Sequence, residues 1–531
     1  MARCSLPIIP LLLMAIVAIG GCGGGKSGGA KKSNASTANA DEERRKFRTG
    51  AVTLHQFDEA RKPQWSVSAK DAALVLEDGK ARGELMQLTG TVYRDGELTG
   101  EVAADRGLAN QNEKTLRLNG DVEIKAADGR TLTSGVAEYL PGYELLHAGD
   151  TVGVVTPKYK LMNIPAVVAT ADLREIGTPD MFRDKIQALM RKLKVEPKPN
   201  KLKLAMLAGI LAQTGVAGAQ STFQTETITI RGWRSIKTSE LADGRVKFLL
   251  SGGRITGESK NKGLVAVGNR IEGTLKEVNG KRVIETASFS GDVQVTLDNG
   301  GGRSVLTTAS ANLINGETPV LSAPGAVTLM RHDSGGQETT VRGASAVARL
   351  APLDSGAKQP VRRIELSGGV TMTVTGGANG TLRATTGSVT MVPGDGTDDF
   401  DFNGSTKLTQ ETDLRSVELT GSGGTATIGR GAYPLQTARL TGPVRAKMTR
   451  SNKGFAEQYL ATGGGLTYND SARNVKLTGN VVLNAKARLF EGENRGTELI
   501  LSLNDKREVA EIEMNGEPGS TDYTPKKEPN R

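Results

Sequence analysis

Apolar and polar residues alternate with a period of two along most of this 531-residue chain. The runs Val122-Glu-Ile124, Val293-Gln-Val295-Thr-Leu297, Ile364-Glu-Leu366, Val370-Thr-Met372-Thr-Val374 and Val417-Glu-Leu419 each set apolar side chains on one face and polar ones on the other. That alternation is the mark of half-buried strands. A short unit punctuates the runs: a large apolar residue, a small polar one, Gly, a variable residue and Val. Clear copies are Leu88-Thr-Gly-Thr-Val92, Leu118-Asn-Gly-Asp-Val122, Phe289-Ser-Gly-Asp-Val293, Leu366-Ser-Gly-Gly-Val370, Leu440-Thr-Gly-Pro-Val444 and Leu477-Thr-Gly-Asn-Val481, with looser ones at Leu250, Phe402 and Met514. From Leu366 to Met514 successive copies are 36, 38, 37 and 37 residues apart. A fixed period in this range predicts stacked supersecondary units, none able to bury its apolar face alone. The Gly of each unit predicts a bulge where a strand must bend. Asp95-Gly96 and Asp128-Gly129 predict hairpins.

Only one stretch of the mature chain has helical periodicity. Thr178-Pro179-Asp180 has the form of a helix start, with Thr as cap. Met181, Phe182, Ile186, Leu189, Met190 and Leu193 follow on one face, among Arg183, Lys185, Arg191, Lys192 and Lys194. This stripe fits packing on its own domain better than lying on a membrane surface. Next, 201–219 has a basic start, an apolar core and a small-x-small end. That is the outline of a second export signal inside the chain, and a retained connecting helix is the alternative. At the N-terminus Arg3, an apolar run from Leu6 to Ile19 and Gly20-Gly21-Cys22 form an export signal with a lipobox-like end, predicting acylation at Cys22.

Composition agrees with many short strands: 67 Gly and 4% aromatic residues. The net charge of +10 is compatible with an anionic partner or with solubility alone. The two cysteines, Cys4 and Cys22, both precede the folded part, so no disulfide or thiolate metal site is expected there. His55, His147 and His332 have no metal-ligand spacing, no phosphate loop is present and no nucleophile–base order stands out. No cofactor, metal, catalytic residue or nucleic-acid partner is therefore expected, and the chain reads as a non-enzyme.

Two resemblances follow from particular residues. Lys62-Pro-Gln-Trp65-Ser-Val-Ser-Ala69, Leu118-Asn-Gly-Asp-Val122 and Asp128-Gly-Arg-Thr-Leu132-Thr resemble the LptC family of lipopolysaccharide export, though with a lipidated Cys expected in place of a transmembrane helix. Leu477-Thr-Gly-Asn-Val481-Val-Leu, Gly496-Thr-Glu-Leu499 and Val509-Ala-Glu-Ile512-Glu-Met514-Asn-Gly516 resemble the OstA-type repeat of the LptA family. These resemblances imply an all-β fold, an elongated antiparallel V-shaped jellyroll with one short helical connector. They also imply a periplasmic, membrane-anchored carrier of lipopolysaccharide or a similar multi-acylated glycolipid. Its partners would be an inner-membrane ABC transporter and an outer-membrane translocon. The expected organisation is a signal peptide over 1–21, a tether over 22–45, an LptC-like body over 46–176, a helical connector over 177–220, an OstA-like body over 221–520 and a disordered tail over 521–531. The lipid groove would be lined by the inward residues Val92, Leu118, Val122, Ile124, Leu132, Val293, Val295, Leu366, Val370, Met372, Val374, Leu477, Val481 and Leu483. Arg254, Lys407 and Arg445 are rim candidates for lipid phosphates, with plain solvated charge as the commoner role. A structural β-solenoid lipoprotein with a filled core is the alternative function.

Overall fold

The computed structural model describes residues 45–525 apart from 78–79, 141–142, 196–200, 213–220, 260–262, 279–280, 299–301, 334–335, 354–356, 358–359, 378–379, 413–414, 431–433, 453–454, 487–489, 506–508 and 517–519. The expected signal peptide, Cys22 and nearly all of the tether lie outside the described residues, as does 213–219 of the inner signal-like stretch. The rest is all-β, as the alternation predicts: 31 strands linked by antiparallel pairing into one sheet.

Most strands are long and bent. In Val361–Gly377, residues 361–367 pair with one neighbour segment and 370–375 with another, and the register shifts between Ser367 and Val370. At the shift two residues, Gly368 and Gly369, face one across the ladder. Both have positive φ, 84° and 75°. This is a bulge whose first residue needs the left-handed conformation that Gly adopts without a Cβ clash. The same two-against-one step occurs at Gly120-Asp121, Gly291-Asp292, Gly442-Pro443 and Gly479-Asn480. The repeat unit is thus a bend, with an inward apolar residue before it and an inward Val after it. Gly90 is the exception. In that copy the left-handed residue is Gln87, φ 48°, and the strand stays regular through Gly90. A Cβ at Gly90 would run into the Ser66 carbonyl and approach Val67 Cγ1 to 2.7 Å, so close backbone approach requires this glycine.

Bending of the long strands divides the sheet into two facing leaves joined along a spine of bends, and short strands such as Glu175–Gly177 and Thr222–Gln224 each belong to one leaf. One leaf runs from Arg45–Thr49 to Val509–Asn515. The other runs from Val52–Phe57 to Ser520–Pro525. Strand pairing therefore continues into the expected tail as far as Pro525. Each leaf has about 25 rungs, or roughly 115 Å at ~4.8 Å per strand.

The two expected bodies join edge to edge. In Lys160–Thr170, the first half pairs with Thr222–Gln224 and the second with Glu175–Gly177, which in turn pairs with Ser235–Glu240. Tyr159 stacks on Phe223 with ring centroids 5.5 Å apart, and Phe223 meets Phe248 at 5.1 Å. One apolar core runs from Leu54 to Leu499 without interruption.

The described helices fall within 177–220, the span expected for the connector. A short 3-10 turn, Pro179–Phe182, leads into helix α1 (Arg183–Lys194), and helix α2 (Lys201–Ala212) follows. Thr178 does not cap α1. It is fully buried, and its Oγ1 accepts a hydrogen bond from the Ile236 N–H at 3.1 Å. Phe182, Ile186 and Leu193 of the expected stripe, with Leu207 and Ile210 of α2, pack against Leu140, Leu145 and Val168 on the outside of a leaf. This cover explains why Leu145–Ala148 and 166–169 are buried on both faces and lose the alternation. His147 lies beneath it, 8% exposed.

At Gly291 the φ is 79° and an added Cβ would sit 2.9 Å from Asn269 Cβ, while at Gly316 nothing lies within 4 Å and φ is not positive. Gly291→Ala should cost about 1–3 kcal/mol. Gly316→Ala should be neutral or slightly stabilising, by about 0.5 kcal/mol. Thermal denaturation of both variants checks this, and equal melting temperatures would contradict it.

Candidate functional site

The space between the leaves is the candidate site, because two facing rows of apolar side chains are what an acyl chain needs. All fourteen inward residues named from the sequence point into it and belong to the single core. Each is at most 4% exposed. Along the first body and much of the second, those side chains themselves fill the interior.

The far end differs. Between about Gln410 and Ile512 an apolar groove of about 1060 Å³, counting its solvent-open mouth, lies between the leaves. Val417, Leu419, Met448, Tyr459, Leu483 and Leu501 are among its walls. Leu483 is one of the predicted lining residues. Val417, Leu419, Met448 and Leu501 are only partly buried although they lie on inward strand faces. The sequence reading missed them, and strict alternation at Val417-Glu-Leu419 was the available signal. Arg415 and Lys447 are the basic residues among its walls.

The open edge opposite the spine has two lips, formed by the hairpin tips of each leaf. Along the first body and at its junction with the second, ion pairs lace the lips together. Arg94 of one lip meets Glu144 and Asp172 of the other, both at 3.0 Å. Lys158 Nζ donates to Glu240 Oε1 at 2.9 Å, and Arg130 pairs with the same carboxylate. Tyr139 Oη donates to the Tyr93 carbonyl at 3.0 Å. Burial pushes the Glu240 carboxyl up, but the Lys158 hydrogen bond and the charges of Arg130 and Lys158 outweigh it and hold the group below the usual carboxylate range. Asp172 is held low in the same way, by Thr170, the Arg174 N–H and Arg94.

Farther along, the lips meet in a buried cluster. Arg331 and Asp333 end an inward row of one leaf, and Asp398 and Arg430 end inward rows of the other. Arg331 Nη1 is 2.8 Å from Asp398 Oδ1, and Arg430 Nε is 2.9 Å from Asp333 Oδ1. Past Arg430 the ion pairs described, such as Arg450–Glu457 and Arg473–Asp505, stay within one lip. The three rim candidates from the sequence are not at this mouth. Lys407 pairs with Glu418 at 2.8 Å on an outer face, Arg254 donates to Gln294 at 3.3 Å, and Arg445 is exposed.

Among the described residues no group of three or more His, Cys, Asp or Glu side chains is placed to hold a metal ion. No described helix is long and apolar enough to cross a membrane.

The lacing predicts a pH dependence. Glu240 and Asp172 have folded pKa values below their unfolded ones, so they stabilise the fold above the unfolded carboxylate pKa. That stability is lost as pH falls through the folded values. Acid titration should loosen the first body below about pH 4. Glu240→Gln should flatten that part of the stability–pH curve, read by circular dichroism, and an unchanged curve would contradict the lacing.

No curated protein matches the chain. Over residues 12–160 the sequence matches the family model described as lipopolysaccharide-assembly, LptC-related, and this match points that segment toward lipopolysaccharide assembly.

Proposed function

We propose that this protein is a periplasmic, lipid-anchored β-bridge that carries lipopolysaccharide or a similar multi-acylated glycolipid, holding its acyl chains in the groove between Gln410 and Ile512. The observation that carries this reading is that apolar groove, set at one end of a continuous pair of leaves. Each methylene kept from water there is worth ~0.8 kcal/mol, so a few acyl chains are enough to hold a lipid firmly. The LptC-related match over the first body supports a place in lipopolysaccharide export. The OstA-like repeats support a carrier role for the rest. In this reading acylated Cys22 holds the N-terminal end at a membrane. An inner-membrane ABC transporter supplies lipid, an outer-membrane translocon receives it, and the roughly 115 Å length of the leaves serves the crossing between them.

The fully packed interior before the groove favours a second reading, a filled scaffold that transfers no lipid. Substitutions separate the two. Val417→Asp and Leu501→Asp change partly exposed wall residues, and they should abolish binding of a fluorescent fatty-acyl probe while leaving the melting temperature within a few degrees. Val370→Asp buries a charge in the packed section, where Val370 is 1% exposed, and should cost more than about 3 kcal/mol and unfold the chain. Probe binding that survives both wall substitutions would sink the carrier reading.

A further inference from the structure

The cluster at the lips has a composition that closing a sandwich does not require. Arg331 is 1% exposed on an inward row whose preceding members are Val327 and Leu329. Asp398 precedes Phe400 and Phe402 on the opposing row, and Arg430 follows Ala426 and Ile428. Apolar residues at these row ends would close the mouth more cheaply, because buried ion pairs rarely repay their desolvation.

The cluster is also incompletely satisfied. Asp333 Oδ1 is shared between Arg331 Nε at 3.1 Å and Arg430 Nε at 2.9 Å. Arg430 Nη2 also donates to the Gly394 carbonyl at 3.0 Å. Among the described residues, however, Arg331 Nη1 and Nη2, Asp333 Oδ2 and Gln337 Oε1 have no hydrogen-bond partner, although Nη1 lies within ion-pair distance of Asp398. Arg430 Nη2 also reaches Asp398 Oδ1 at 3.3 Å, but the Arg331 fork faces two carboxylates that do not fill it. An anion with three acceptor oxygens would.

The cluster also adjoins the groove. The Gly429 N–H, next to Arg430, donates to the carbonyl of Pro434, and Pro434 and Leu435 are groove walls.

We propose that Arg331 and Arg430 form a phosphate-binding site at the groove mouth, occupied in the empty protein by the internal carboxylates of Asp333 and Asp398. This rests on the reading of the groove as an acyl-chain site. The ligand is then an anionic amphiphile whose tail lies against Val417, Leu419 and Leu435 and whose phosphate displaces Asp398 from the two guanidiniums. Displacement releases Asp398 from Arg331, and the phosphate, held by Arg331 of one lip and Arg430 of the other, takes over that tie between the lips. Burial raises the Asp398 carboxyl above its usual range despite the two arginines.

Dodecyl phosphate and dodecyl maltoside, which share a tail, test this by calorimetric titration of the full-length protein. The phosphate should bind about tenfold more tightly. Arg430→Gln should reduce its affinity to that of the maltoside, with melting temperature as the control for folding. Asp398→Asn, which removes the competing charge, should strengthen phosphate binding, whereas a purely structural clasp predicts that it weakens. Competition by inorganic phosphate alone would mark a site that accepts free phosphate as well. Its absence, with the preference intact, would mark a headgroup site that needs the tail. Equal binding of the two amphiphiles, or a preference that survives Arg430→Gln, would overturn the site and leave the groove reading standing. Failure of both amphiphiles to bind would overturn the groove reading and the site with it.

Discussion

The structure depends on bending each long strand so that both of its halves turn an apolar row inward. A straight strand of this length would expose one of its faces over half its extent. The bulge solves this with two residues against one, the first in the left-handed conformation, and it increases the local twist in the same step. Because the bend recurs in successive strands, the bends stack into a spine and the halves into two leaves. Leu366 and Val370, or Leu477 and Val481, then meet their counterparts across the interior at every rung. Neither leaf could bury its rows alone, so stability comes from the repeat as a whole.

The same geometry leaves the edge opposite the spine as the place where the two leaves can differ along their length. Over the first body Arg94, Arg130 and Lys158 cross that edge, and the interior behind them is filled. At Arg331, Asp333, Asp398 and Arg430 the crossing becomes a buried charge cluster. Beyond it some inward residues, such as Val417, Leu419 and Met448, are only partly covered, and a groove remains. The edge-to-edge join at Phe223 and Leu161 fuses the two halves of the chain into one body. A connection of this kind relates the N-terminal end, which carries the LptC-related match, to a groove at the opposite end.

Much of this was legible in the sequence, for physical reasons. Period-two alternation exposes any strand with one dry face, and a left-handed bulge position admits few residues, so the Leu-x-Gly-x-Val unit repeats visibly. Gly90 shows the limit of that inference, since close approach to Val67 selects glycine as firmly as a bend does. The stripe from Phe182 to Leu193 was legible as an amphipathic helix, but its start was not. Thr178 has the residue type of a cap, yet it bonds to Ile236, a partner distant in sequence. The charge cluster left no local trace either. Arg331 and Asp398 read as ordinary charges near turns, and only the closure of the two leaves brings them to 2.8 Å. The groove walls were hidden for the opposite reason, because Val417 and Leu501 have the same alternation as residues in the packed section. Inward direction can be read from periodicity, whereas the spacing between leaves cannot.

The central claim is that the space between Gln410 and Ile512 holds acyl chains. Its most direct test is to express the full-length chain in a lipopolysaccharide-producing host, purify it without denaturation and identify the bound lipid by native mass spectrometry. The account predicts a multi-acylated, phosphate-bearing lipid at about one per chain. A folded protein that carries no lipid, and takes none up from extracted membranes, would contradict it and leave a filled β-scaffold.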